Sequence, residues 1–342
     1  MTARKKKILK KAGVTVLLVA APLACIVLSL FLGRYPIHYT EVFPLIWSII
    51  SRGPDVAASI QSSIIWEIRL PRAFLGALVG ASLAASGTAL QGLFRNPLVS
   101  SGMLGVSSGA GFGAALAIIM FKSTAAIYIC AFIFGILAVI LSYLVGKIYN
   151  SAPTIMLVLG GVIISSIFSA MISFLKFLAD PYEDLPSIVF WLMGSLASIQ
   201  GHDVLAASIP MLGGIMGLML IRWRINVLSM GEREAKTLGI NVNLNRAAII
   251  VFTTIATAGA VCISGIIGWV GLVIPHMGRM IAGNDNRILM PVSISLGACF
   301  MVIIDNIARN ISGGEIPLGI LTSLIGGPFF IYLLRRTRGG GW

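Results

Sequence analysis

The sequence has very little with which to do chemistry of its own. Its 342 residues include 12 Asp and Glu, 3 His and 4 Cys. The cysteines, Cys25, Cys130, Cys262 and Cys299, each sit inside an apolar run without Cys-x-x-Cys or Cys/His spacing. That pattern argues against a disulfide framework and against a zinc site. His38, His202 and His276 are scattered, and no His-Glu-x-x-His motif exists. Nucleotide loops are missing too. Gly109 to Leu116 (GAGFGAAL) has the wrong spacing for a dinucleotide loop, and Gly146–Lys147 is followed by Ile148 where a phosphate loop needs Ser or Thr. An enzyme is not expected, nor a metal or nucleotide cofactor held by this chain. Carboxylates inside the apolar runs are nearly absent, Asp305 being the main candidate. Ion-driven transporters use buried ionisable groups or broken helices near midplane, so a driving force is expected to come from elsewhere.

What is present is hydrocarbon. Mean hydropathy is +0.97, 57% of residues are hydrophobic and 11% charged. Several apolar runs reach about 20 residues, enough to cross a bilayer as helix. Backbone facing lipid must satisfy its own hydrogen bonds, and the runs show no strand alternation, so the expectation is an all-α polytopic membrane protein. The basic start, MTARKKKILKK, precedes an apolar run that continues past Cys25, which reads as a retained first span instead of a cleaved signal. Ten spans are expected, near 13–33, 70–92, 98–120, 124–147, 154–177, 204–222, 247–266, 268–283, 288–308 and 316–334, in one permease domain covering 1–342. With both termini inside, seven basic residues (Arg34, Arg52, Arg69, Arg72, Lys122, Lys176 and Arg309) lie outside, and the other 18 of the 25 inside. This agrees with the positive-inside rule. The net charge of +13 is therefore topological; the basic residues flank spans and form no patch for nucleic acid.

One polar stretch interrupts this pattern. SMGEREAKTLGINVNLNR, Ser229 to Arg246, has four charges within Glu232 to Lys236. Ser229 with Glu232 three residues later is a capping-box spacing, predicting a short helix from near Met230. Gly239 is its stop, and Asn243 or Asn245 caps the following span. A helix this short is unstable alone in water, so something must pack on it. Elsewhere Gly105, Gly109 and Gly113, Gly76 and Gly80, and Gly213 and Gly217 recur every fourth residue, predicting close helix–helix approach. Ser86–Gly87 precedes Pro97 as Ser264–Gly265 precedes Pro275, an echo compatible with an inverted repeat.

Four segments together carry a family resemblance: RLPRAFLGALVGASLAASGTALQGLFRNPLVSSGMLGVSSGAG (Arg69 to Gly111), SMGEREAKTLGI, GWVGLVIPHMGRMIAG (Gly268 to Gly283) and DNIARNISGGEIPLGILTSLIGGPFFIYLL (Asp305 to Leu334). In this order the chain resembles the iron-siderophore, haem and cobalamin permease family of type II ATP-binding-cassette (ABC) importers, from about residue 15 onward. The resemblance implies a multi-pass subunit of the cell membrane working as a homodimer. Two cytoplasmic ATPase subunits would carry the ATP and Mg, and an extracytoplasmic binding protein would deliver cargo. A ferric siderophore is the expected cargo, with haem or cobalamin next and oxyanions in some members. The polar region 229–245 then resembles the coupling helix that seats in the ATPase, with Gly231, Glu232, Arg233, Glu234, Ala235, Leu238 and Gly239 at the contact. Arg69, Arg72 and Arg309 match positions that dock the binding protein, with Glu67 and Glu315 close enough to pair with them internally. Asn150 and Ser151 match the cytoplasmic gate, although Ala152 and Pro153 depart from the family's pattern. His276 is expected to be structural. The alternative is a secondary transporter without an ATPase, separable by collapsing the proton gradient at constant ATP.

Overall fold

The computed structural model describes residues 3–35, 37–52, 60–147, 154–201, 203–311 and 313–336, all helix, turn or bend without strands. The helices are α1 (Ala3–Phe31), α2 (Tyr39–Arg52), α3 (Ile60–Phe94), α4 (Val106–Phe121), α5 (Thr124–Lys147), α6 (Thr154–Leu178), α7 (Asp184–Met193), α8 (Asp203–Leu228), α9 (Glu232–Thr237), α10 (Val242–Ser264), α11 (Val270–Ala282), α12 (Asn286–Asn310) and α13 (Leu318–Arg336). Each of the ten expected spans has its helix. Among the described residues, seven helices are long and apolar enough to cross a bilayer by length and composition. By contrast α4 and α11, at 16 and 13 residues, reach about 24 and 20 Å, less than a hydrocarbon core of about 30 Å.

Two helices were not expected from hydropathy. α7, DLPSIVFWLM, is apolar but only 10 residues long. α2 buries Val42 in a small cluster with Leu30, Ile37 and Ile65, while Phe43 and Trp47 stay exposed. At 14 residues it is too short to be read from hydropathy as a span.

α3 is the core helix. Its apolar window is 94% buried inside the chain, against 11% for α1, and α12, α10, α8 and α11 pack around it. Such burial needs small residues: a Cβ built on Gly80 would overlap the Gly297 backbone, and one on Gly87 the Gly271 carbonyl. The expected glycine face of α4 is used in the same way, Gly109 against the Phe134 carbonyl and Gly113 against that of Cys130. On α8 the expected pair shifts by one residue. Gly214 and Gly217 meet Ala256 and Phe252, whereas nothing lies within 4 Å of a Cβ on Gly213. Gly87→Leu should lower stability by about 3 kcal/mol, the scale of severe overpacking against backbone that cannot rotate away. Gly213→Leu should be close to neutral. Thermal unfolding of both variants in detergent checks the contrast.

The echo between Gly87 and Gly265 does not extend to the backbone, since Gly87 is mid-helix in α3 while Gly265 terminates α10. At the start of α12, Asp285 accepts from the Arg287 amide at 3.0 Å. Its carboxylate also pairs with the Arg287 guanidinium, a hydrogen bond that holds the acid below the usual carboxylate range.

Candidate functional site

Two polar constellations stand at opposite ends of α12. The Asn286 amide at its start donates to Asn226 Oδ1 at 2.9 Å, near the end of α8 that leads into α9. Arg309 is one residue from its other end. A 25-residue helix separates the two by about 37 Å.

At the first end, α9 is the short polar helix expected from the sequence. It begins at Glu232, and its N-cap is Gly231, not Ser229, whose hydroxyl donates back to the Asn226 carbonyl at 2.7 Å. Gly231 has φ +141°, and a Cβ there would overlap the Glu234 carboxylate. Gly239, at φ +74°, ends the turn as expected. Both conformations are ones L side chains adopt only with strain. The cap of α10 is Asn241, which accepts from the Leu244 amide at 3.0 Å, so neither Asn243 nor Asn245 serves. Asn245 is instead buried and accepts from the Arg224 guanidinium at 3.2 Å.

The helix does have a support in its own chain. Ala235 is completely buried and packs with Ile225, Leu228 and Val242, and Arg246 pairs with Glu232. What remains on the surface is Arg233, Glu234 and Lys236, with Met230, Leu238 and Leu244 each more than half exposed. Ala235 and Leu238, both expected at the contact, are divided: Ala235 anchors the helix inside the chain and Leu238 faces outward. The exposed face of this region is thus a mixture of charged and apolar side chains.

At the second end a π turn, Ile64–Arg69, lies in the first part of α3. The Leu70 amide reaches back five residues to the Ile65 carbonyl. Pro71 has no N–H for the Glu67 carbonyl, which removes one α-helical bond and favours such widening. Arg69 and Arg72, three residues apart, both turn inward and are 3% and 4% exposed. Arg69 donates to the carbonyls of Leu30 at 2.6 Å and Tyr35 at 2.5 Å. It thereby caps the end of α1, where a cation also suits the helix dipole. Arg72 makes bidentate bonds to the two oxygens of Asp305 at 2.8 and 3.1 Å and to those of Glu315 at 2.9 and 3.0 Å. Arg309, 6% exposed, pairs with Asp305 at 3.2 Å and donates to Ser29 at 3.0 Å and Asn306 at 2.6 Å. Arg34 closes the group by donating to the Arg309 carbonyl at 3.1 Å.

The three arginines singled out by the sequence are therefore brought together, but beneath the surface and with partners inside the chain. Of the two nearby acids Glu315 takes the internal pairing, while Glu67 lines an outer groove with Trp66, Pro71 and Phe74. Asp305 was not foreseen as the hub. Its signal was there to read: a lone acid in an apolar helix, four residues before an arginine.

Other expectations resolve briefly. Asn150 and Ser151 lie outside the described residues. His276 is buried within α11, and no group of three or more metal-ligating side chains occurs among the described residues. Gly105 to Gly109 spells the Gly-x-Ser-x-Gly of a nucleophile elbow, but it follows a 3-10 turn, where a hydrolase has a strand. Nearby, Gln91 joins α3 to α11, donating to the Gly271 carbonyl at 3.3 Å and accepting from Arg279.

Seven helices of membrane-spanning length and apolarity, the buried α3 among them, with a short polar helix at one end, define a multi-pass membrane protein. The chain belongs to the FecCD transport family, whose model matches residues 18–336. It is 40% identical over 329 residues to the molybdate import system permease protein MolB of Haemophilus influenzae, covering 96% of each chain. It is 44% identical over 281 residues to a Helicobacter pylori permease described as part of an iron chelatin transport system, covering 82% of this chain and 85% of that one. A solved structure described as an inward-facing conformation of a metal-chelate type ABC transporter superposes with TM-score 0.85 at 38% identity, over 95% of this chain and 99% of that one. The fold is thus that of a type II ABC importer permease, and the chain is the non-enzymatic membrane subunit. Family membership decides against the ion-driven alternative.

Proposed function

We propose that two copies of this chain form the membrane pathway of an importer for a metal chelate, with a ferric siderophore as first candidate and haem or cobalamin next. Two ATPase subunits carrying ATP and Mg dock beneath α9, both termini are cytoplasmic, and an extracytoplasmic binding protein docks over the arginine cluster. The observation that carries this reading is the α9 surface. It is a helix anchored by Ala235 and locked by Glu232–Arg246, yet it presents Leu238 and Met230 to water. Exposed apolar side chains on a rigid polar element need a partner, and the charge pattern puts this one on the cytoplasmic side. Closure of the ATPases on ATP would move α9 and, through α8 and α10, the spans.

The arginine cluster supports docking at the other end by its charge. Four guanidiniums, Arg34, Arg69, Arg72 and Arg309, meet two carboxylates, Asp305 and Glu315. The excess is positive, so an acidic partner is attracted. A second cargo, molybdate, is favoured by the Haemophilus influenzae relative, which matches across nearly its whole length.

The test is the native mass of the complex purified in mild detergent from its own membranes. Two copies of the 36.2 kDa chain with two ATPase subunits are expected. A binding protein that co-purifies is then titrated with ferric siderophore, haem, cobalamin and molybdate. A chain recovered without any ATPase under these conditions overturns the proposal.

A further inference from the structure

Arg72 has two carboxylate partners that differ in kind. Asp305 projects from the interior of α12, its side chain 2% exposed, and is held from both sides by Arg72 and Arg309. Glu315 belongs to the connection between α12 and α13, and its side chain is 33% exposed. Both of its oxygens are used on Arg72, at 2.9 and 3.0 Å. Just beyond it, the Ile316 amide is bonded to the Ala308 carbonyl at 3.3 Å and the Leu318 amide to that of Gly194 at 2.9 Å. Backbone just after Glu315 is thus tied down. Removing Glu315 from Arg72 therefore takes only rotation of its own side chain toward water. Removing Asp305 would require unpacking α12 from α3.

We propose that Glu315 is an exchangeable counter-ion, occupying the outer edge of Arg72 until a carboxylate of the incoming binding protein replaces it. This rests on the docking role of the arginine cluster. The guanidinium has the geometry for the exchange, because a carboxylate accepts two parallel N–H bonds and any other carboxylate can make the same pair. Glu315 then rotates into solvent and Asp305 keeps the buried side of Arg72 neutralised throughout. Arg72 is never left as an unpaired buried charge, which would be costly. The exchange also sets docking strength. One ion pair is lost for each one formed, so the binding protein gains orientation and attraction without a long residence, and it can leave after delivery. Asp305 and Glu315 thus divide two tasks, one structural and one competitive.

The experiment uses the full importer in lipid nanodiscs and the binding protein that co-purifies with it, with affinity measured at low and high salt. Glu315→Gln removes the competitor's charge and should tighten docking about tenfold at low salt, with slower release. Arg72→Gln should weaken docking by a similar factor. If Arg72→Gln weakens docking while Glu315→Gln leaves it unchanged or weaker, the cluster docks the partner but Glu315 is not exchanged. If Arg72→Gln has no effect on docking, the docking role itself fails. Thermal unfolding is recorded for each variant. Should Glu315→Gln be unstable, Glu315→Asp, which keeps the charge but shortens its reach to Arg72, is expected to tighten docking in the same direction. Unchanged or weaker docking by that variant counts against the exchange.

Discussion

Glu232→Arg combined with Leu238→Asp should abolish ATP-driven uptake while leaving the chain folded. Leu238 is 57% exposed and Glu232 also lies on the surface, so the fold loses little when they change. Surface substitutions of this kind stay within about 0.5 kcal/mol of wild type unless they break a named feature. The contact at stake is the Glu232–Arg246 pair, whose acid is 47% exposed, so the reversed side chain can swing into water away from Arg246. The partner's side of the contact has no such tolerance. A carboxylate in place of Leu238 must be desolvated on docking, at a cost of about 3 kcal/mol, or roughly a hundredfold in affinity. The decisive readout is uptake by proteoliposomes beside the amount of ATPase retained on the permease. Loss of both, with an unchanged melting temperature, is expected. Wild-type uptake in the double variant would refute the assignment of α9.

Asp305→Asn carries the largest expected effect on stability. Its side chain is 2% exposed and it is the shared acid between Arg72 at 2.8 Å and Arg309 at 3.2 Å. An amide of the same shape can still accept hydrogen bonds but supplies no charge, and Glu315 reaches Arg72 alone. Arg309 is left buried with neutral partners, Ser29 and Asn306. Breaking a buried pair in this way costs about 3–5 kcal/mol, and the effect should appear as a large drop in melting temperature. Arg309→Met placed on top should restore part of the loss, since it removes the stranded cation. A full double-mutant cycle measures that coupling. A single variant within about 0.5 kcal/mol of wild type would show that the hub is not electrostatic.

The two ends of the molecule were legible in the sequence for different reasons. α9 was visible because a charged stretch between apolar runs has few alternatives, and Gly239 marked its end. Its start was misread: Ser229 and Glu232 have capping-box spacing, but Gly231 adopts a backbone that only glycine takes cheaply, and the serine turned back to Asn226. Local pattern cannot tell which residue caps a helix when tertiary packing of Ala235 fixes the helix axis. The arginines were visible as motif positions, and their burial was not. Nothing in RLPR says that α1 ends beside it and needs its carbonyls capped, as Arg69 does.

The sequence by itself determined the solvent and most of the helices. Apolar runs of bilayer length leave the backbone no state but helix, so ten of the helices follow from hydropathy alone. Only the tertiary structure decided which helix is central and which charges are paired. α3 and α1 are both apolar, yet 94% of one apolar window is buried inside the chain and only 11% of the other. In a bilayer hydrophobicity does not distinguish a face toward lipid from a face toward protein. Close packing and buried polar bonds do so, and they come from residues such as Gly80 and Gly297, or Arg72 and Asp305, that are more than 200 positions apart in the chain.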